Sequence, residues 1–169
     1  MALQEQQLKK AYEMLSQGLV NLDDNLIQGV LVYIEAKAVE FGLPRRTYLS
    51  LDKLRCSFPF VSMGSFMPIN FFGVQTVDLT RHRDTGFKPI TLKVCKVNRD
   101  DAENFSHRWV TVGRYPEEQA EEAILMLIEV LCDEELFGQC SLCQKYRPHG
   151  YIDVELICDC CNEQLEVVA

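Results

Sequence analysis

The chain has 169 residues, 47% apolar and 25% charged, with 17 Lys+Arg against 25 Asp+Glu and a net charge of -8. These proportions exclude a disordered, collagen-like or purely coiled-coil chain, and an acidic chain has no bulk field to draw it onto nucleic-acid phosphates. No stretch approaches the roughly 20 apolar residues of a membrane-spanning helix, and the opening MALQEQQLKK lacks the apolar centre of a secretory signal. The expectation is a soluble, cytoplasmic α+β protein, with no membrane association and no evident small-molecule substrate. An α+β domain over residues 1–137 is followed by a small appendage over 138–169 that packs on it.

The first elements read as a helical hairpin. Leu8, Ala11, Tyr12, Leu15 and Leu19 recur at helical spacing and predict a helix over about 2–19. Gly18 and Asn21-Leu22-Asp23-Asp24 end it and cap a second helix over about 23–41. That helix carries the apolar stripe Leu26, Ile27, Val30, Leu31, Ile34, Ala38 and Phe41, and Gly42-Leu43-Pro44 stops it. Residues 58–113 are then rich in aromatic and β-branched side chains broken by Gly and Pro, which predicts a small, mainly antiparallel sheet. Strands are expected near 58–77, 88–97 and 105–113. One long helix follows over about 116–137. Pro116 suits its first position, and Glu117, Glu118, Glu121 and Glu122 complement the positive end of the helix dipole. Its apolar arc runs through Ala120, Ala123, Ile124, Leu127, Ile128, Leu131 and Leu136. An arc that broad needs cover on more than one side.

Eight cysteines stand at 56, 95, 132, 140, 143, 158, 160 and 161. Cys56, Cys95 and Cys132 lie in apolar company and read as small buried hydrophobes. Cys140-Ser141-Leu142-Cys143 and Cys158-Asp159-Cys160-Cys161 are two C-x2-C pairs separated by 14 residues. Two such turns facing each other supply four thiolates at tetrahedral angles, which is what zinc accepts. Residues 138–168 therefore resemble a zinc ribbon, with Cys140, Cys143, Cys158 and Cys161 as ligands of one structural Zn2+ ion. Arg147-Pro148-His149-Gly150 is turn chemistry, Tyr151–Ile157 alternates as a half-buried strand should, Asn162 stands where a positive φ is expected, and Leu165-Glu166-Val167 can supply a third short strand. Cys160 is an alternative ligand in place of Cys158 or Cys161, His149 at the hairpin tip is within reach in principle, and a rubredoxin-like iron site uses similar pairs. Four sulfurs leave no open position, and closed zinc sites shape a fold where catalytic ones keep a place for water.

Charge is distributed unevenly. Residues 81–114 carry 8 basic and 4 acidic side chains, whereas residues 115–169 carry 2 basic and 13 acidic, a net of -11. This polarity suggests a non-enzymatic zinc-ribbon adaptor or regulator. Its acidic C-terminal surface, with Glu121, Glu122, Glu129, Asp133 and Glu134 as candidate contacts, would meet a protein partner such as a basic, nucleic-acid-handling complex. The alternative is a nucleic-acid-binding regulator. Over about 30 residues, two strands, Val112-Gly113-Arg114-Tyr115-Pro116 and a Glu-rich helix resemble the sheet-plus-helix DNA-binding domains that put strand side chains into the major groove. That resemblance implies contacts from Arg81, Arg83, Lys88, Lys93, Lys96, Arg99, Arg108, Trp109 and Arg114, with Lys93 and Arg99 reaching phosphates first. Catalytic patterns are sparse: His82 beside Asp84 is the nearest to acid–base chemistry, and no nucleophile motif accompanies it.

Overall fold

A computed structural model describes residues 3–43, 54, 59–64, 89–101 and 104–168. The architecture is α+β: among the described residues there are four α-helices, a four-stranded mixed sheet and a two-stranded sheet.

Helix α1 spans Glu5–Ser16 and buries Leu8, Ala11, Met14 and Leu15, positions that share one face. Gln4 and Gln7 cap its start reciprocally, with the Gln4 N–H donating to Gln7 Oε1 at 3.0 Å. Gly18 at φ 74° ends the turn. The chain then departs from the expected helical hairpin. Val20–Leu22 forms strand β1, which pairs in parallel with β2, Val61–Gly64, before α2 begins at Asp24 and runs to Glu40. The sequence alone places Leu19 at the end of the first helix and Asn21-Leu22-Asp23-Asp24 at the cap of the second. Val20 and Leu22 are buried while Asn21 is only half-buried, so the short segment follows the two-residue period of a strand.

The sheet order is β1-β2-β3-β4, with β3 at Ile90–Arg99 and β4 at Phe105–Tyr115. β2, β3 and β4 are antiparallel, and the β1–β2 pair alone makes the sheet mixed. Leu92 pairs with Gly113 and Lys93 with Thr111, so Val112 is the extra residue of a bulge. One face of the sheet carries Val61, Met63, Ile90, Leu92 and Val94 into the core formed with α1, α2 and the third helix. The opposite face carries Ser62, Lys93, Cys95 and Val97 from β2 and β3, all buried, beside Trp109 and His107 of β4.

A 3-10 turn at Glu117–Gln119 leads into α3, Ala120–Cys132, which buries Ala123, Ile124, Leu127, Ile128, Val130 and Leu131. The helix stops five residues before the expected 137. Asp133 is extended, and its Oδ1 accepts the Glu135 N–H at 2.9 Å, a local bond that competes with helix continuation. Phe137 is thereby released into strand β5, Phe137–Gln139, where it is buried in the main core and pairs with β6, Tyr146–Pro148. A 3-10 turn, His149–Tyr151, and helix α4, Asp159–Val168, complete the chain.

The segment after β6 differs from the expected strands. Between Tyr151 and Ile157 only Ile152 is bridged, to Cys158, and Val154 is wholly exposed. Among the described residues, no sheet lies against the apolar–polar alternation there. Leu165–Val167 lies in α4 and not in a third strand. Cys158, Cys161, Asn162 and Leu165 recur at helical spacing, and Asp159 in the first turn suits the helix dipole.

Specific contacts tie this C-terminal segment to the sheet and α1. A Cβ on Gly150 would lie 2.1 Å from the Val97 carbonyl oxygen, so only glycine lets the two backbones meet. The Tyr151 ring lies 4.9 Å from that of Phe105 and 5.8 Å from that of Phe60, and its hydroxyl bonds His107 Nε2. Gln17 Oε1 accepts the Tyr146 N–H at 2.9 Å, and Arg99 reaches Asp159 at 3.8 Å.

Candidate metal centre

The first cysteine pair sits on the loop joining β5 to β6. The Cys140 N–H donates to the Lys145 carbonyl at 3.0 Å, and the Gln144 N–H donates back to the Cys140 carbonyl at 2.9 Å. Gln144 takes φ 61° to close this loop, and its side-chain amide donates to the Ser141 carbonyl at 2.8 Å. The second pair straddles the start of α4. The Cys161 and Asn162 N–H groups both donate to the Cys158 carbonyl at 3.0 Å. Positive φ therefore occurs at Gln144 and Leu156, and Asn162 is helical, contrary to its expected role. Asn162 instead donates from Nδ2 to Asp153 Oδ2 at 2.6 Å.

Together these elements bring the sulfurs of Cys140, Cys143, Cys158 and Cys161 within 4.8 Å of one another. Cys140 to Cys161 and Cys143 to Cys158 are each 3.8 Å. Four sulfurs at a zinc–thiolate distance of about 2.3 Å define a tetrahedron with edges of about 3.8 Å, so the observed separations fit a shared metal ion. Cys140 and Cys158 are fully buried, and with Ile152 they form a small core separate from the main one.

The protonation preferences agree. Burial pushes the Cys140 thiol up, but backbone N–H groups of Cys143, Cys158 and Leu142 aimed at its sulfur outweigh this and bring it down to about 6. The Cys158 N–H is 3.3 Å from that sulfur. Hydrogen bonding to Cys158, then burial and the other sulfurs, pushes Cys161 up to about 12, and burial raises Cys158. One thiolate is favoured and its neighbours are then disfavoured, because like charges this close repel. A bound dication removes that conflict. The donor set is all sulfur and fills a tetrahedral shell.

Cys160 is exposed and lies outside the cluster, and so does His149, which leaves the set expected from spacing without either alternative. Cys95 is buried, and desolvation pushes its thiol up to about 11; burial also raises Cys132. Neither has the lowered pKa of a nucleophilic cysteine. Cys56 lies outside the described residues.

Asp153 is a supporting residue that the pattern of cysteines does not reveal. Its Oδ1 accepts the N–H groups of Glu155 at 2.9 Å and Ile157 at 3.0 Å, while Oδ2 takes Asn162. The Asn162 side chain and these backbone donors, with Arg99, hold its carboxyl below the usual range. An Asp followed within four residues by a turn into the second pair is the only local signal, and it is a common one.

The basic set expected on the sheet is not gathered into one surface. Lys93 is 6% exposed, and Trp109 is half-buried beside it on the same face. Lys96 and Arg108 pair across strands and point to the helix-bearing face; Arg99 and Arg114 belong to the other. Lys96, Arg99, Arg108 and Arg114 are exposed. Arg81, Arg83 and Lys88, together with His82 and Asp84, lie outside the described residues. Of the acidic candidates, Glu121, Glu122, Asp133 and Glu134 are exposed and Glu129 is half-buried, all on α3 or its end.

No known protein family, curated protein or solved structure matches this chain. No helix among the described residues is long and apolar enough to cross a membrane.

Proposed function

We propose that this protein is a non-enzymatic cytoplasmic adaptor in which one structural zinc ion shapes a C-terminal docking surface for a basic protein partner. The observation that carries the reading is the four-sulfur cluster, whose 3.8 Å separations suit a closed tetrahedral shell. Such a shell has no position for substrate or water, so the metal acts through the fold it holds. Zinc is favoured over iron because closed four-cysteine tetrahedral shells are its usual structural sites, and we regard residues 138–168 as a variant ribbon in which a helix replaces the second hairpin. The charge of -11 over residues 115–169 supports a cationic partner.

The test has two parts. Elemental analysis of anaerobically purified protein is expected to give one zinc per chain, and cobalt substitution is expected to give the spectrum of a tetrahedral sulfur site. A lysine-rich peptide is expected to bind at about 0.01 M salt, where the Debye length is about 30 Å, and to weaken sharply at about 0.15 M, where it is about 8 Å. Absence of metal, a shell containing solvent, or binding indifferent to salt would refute the reading. Duplex DNA binding lost on changing Arg99 and Arg114, which share one face of the sheet, to Ala would replace it with nucleic-acid recognition by the sheet.

A further inference from the structure

The loops and helix that carry the four cysteines also carry exposed apolar side chains. Leu142 stands between the first two cysteines, Leu156 in the loop between the pairs, and Leu165 one helical turn beyond Cys161 on the same face of α4. They are 54%, 57% and 51% exposed, and Val154 is completely so. Single exposed apolar residues are ordinary, but a group arranged around one rigid site marks an interaction surface.

The group is also held stiffly. The Ser141 N–H donates to the Leu156 carbonyl at 2.7 Å, stitching the loop that carries Leu142 to the loop that carries Leu156. Asp153 pins the second loop from three directions, through Glu155, Ile157 and Asn162. Leu156 is held at φ 61°, a left-handed conformation that costs a bulky residue and that glycine or asparagine would adopt more readily. Leu156 gains no core burial in return. A pre-ordered apolar surface loses little freedom when a partner covers it.

Charge selects the occupant. Residues 152–168 contain Asp153, Glu155, Asp159, Glu163 and Glu166 and no lysine or arginine. A second copy would bring an identical acidic rim against this one, and phosphate groups would be repelled likewise. The complementary surface is cationic with apolar side chains interspersed.

We propose that Leu142, Val154, Leu156 and Leu165 anchor a lysine- or arginine-rich amphipathic segment of a partner protein, with Glu155, Glu163 and Glu166 as the charged rim. This inference rests on the acidic docking surface proposed above and names its anchoring centre and the class of segment it receives.

The test uses the full zinc-loaded chain, labelled at leucine and valine methyl groups. It is titrated with an amphipathic Leu/Lys peptide of about 18 residues, five helical turns, and with Lys/Ser and Leu/Glu peptides of the same length. The methyl signals of Leu142, Val154, Leu156 and Leu165 are expected to shift with the Leu/Lys peptide. The double variant Leu142→Ser/Leu156→Ser is expected to weaken that binding about 100-fold, roughly tenfold for each buried leucine, while retaining one zinc per chain. Equal binding of the Lys/Ser and Leu/Lys peptides, unaffected by the double variant, would overturn the apolar anchor and leave the acidic surface standing. Failure of both cationic peptides would overturn the anchor and the surface together. Comparable binding of the Leu/Glu peptide, or a homodimer abolished by the double variant, would show that the occupant is not cationic and would overturn the inference.

Discussion

Removing the metal is expected to unfold the C-terminal module and leave the rest of the protein in place. The module's own buried core is Cys140, Ile152 and Cys158, of which Ile152 alone is an ordinary hydrophobe. Burying one isoleucine contributes about 1.5–3 kcal/mol. Helix α4 has 10 residues, below the roughly 12–15 at which an isolated helix becomes even marginal. Without the cation, Cys158 and Cys161 favour the protonated thiol, so nothing replaces the ion's hold on the four sulfurs. The binding free energy of structural zinc, about 10–16 kcal/mol in small zinc domains, thus exceeds every other local term. The main core draws mostly on α1, α2, α3 and the sheet, with Phe137 of β5 added to them, and is expected to stand without the ion. Chelation is therefore expected to remove helix α4 only: 10 residues against 12, 17 and 13 in the other three among the described residues, or at most about a fifth of the far-ultraviolet helical signal. Thiol titration supplies a second readout. Cys160 is the exposed cysteine among those described, so it reacts first, and Cys140, Cys143, Cys158 and Cys161 join it after chelation. A helical signal unchanged by chelation, with the four thiols still protected, would refute the reasoning.

Gly150→Ala is expected to be among the most damaging single changes outside the cysteines. Its methyl would sit 2.1 Å from a backbone oxygen of β3, which no side-chain rotation relieves. The expected loss is about 3 kcal/mol or more, measured by chemical denaturation, with zinc retained; a loss under about 0.5 kcal/mol would show that the module is not docked through this contact. Leu156→Gly relieves the left-handed conformation and is expected to leave stability unchanged or raise it by up to about 1 kcal/mol, while weakening peptide binding; a marked loss of stability would count against the strain. Burial lowers the pKa of His107, which bonds Tyr151. The folded state thus binds fewer protons there than the unfolded one, so this contribution is present above the unfolded value of 6.5 and is lost as pH falls through the lower folded value. His107→Phe is expected to flatten the change in denaturation midpoint below about pH 6.5; an identical pH profile would remove His107 as its source. Asp153→Ala is expected to lower zinc affinity about 10–100-fold, as loss of a supporting contact does at other metal sites, read by competition with a coloured chelator.

The four-sulfur cluster was legible from the sequence because metal chemistry constrains spacing. Two C-x2-C pairs supply the donors of one tetrahedron, and Cys140, Cys143, Cys158 and Cys161 are where that spacing puts them. Helices α1, α2 and α3 were legible from apolar positions that recur within a few residues, since that period is a local property of the chain. What lay beyond was decided at long range. Val20–Leu22 became a strand because β2, some 40 residues later, offered a parallel partner, and no local pattern encodes that pairing. Val154 alternates like a strand residue yet stands in solvent, since no second strand lies beside it among the described residues. Lys93 looked like a surface cation, and only the packing of both faces of β3 put it inside. Burial depends on what the rest of the chain places against a residue. The ligands' spacing could therefore be read from the sequence, and the surface around them only from the fold.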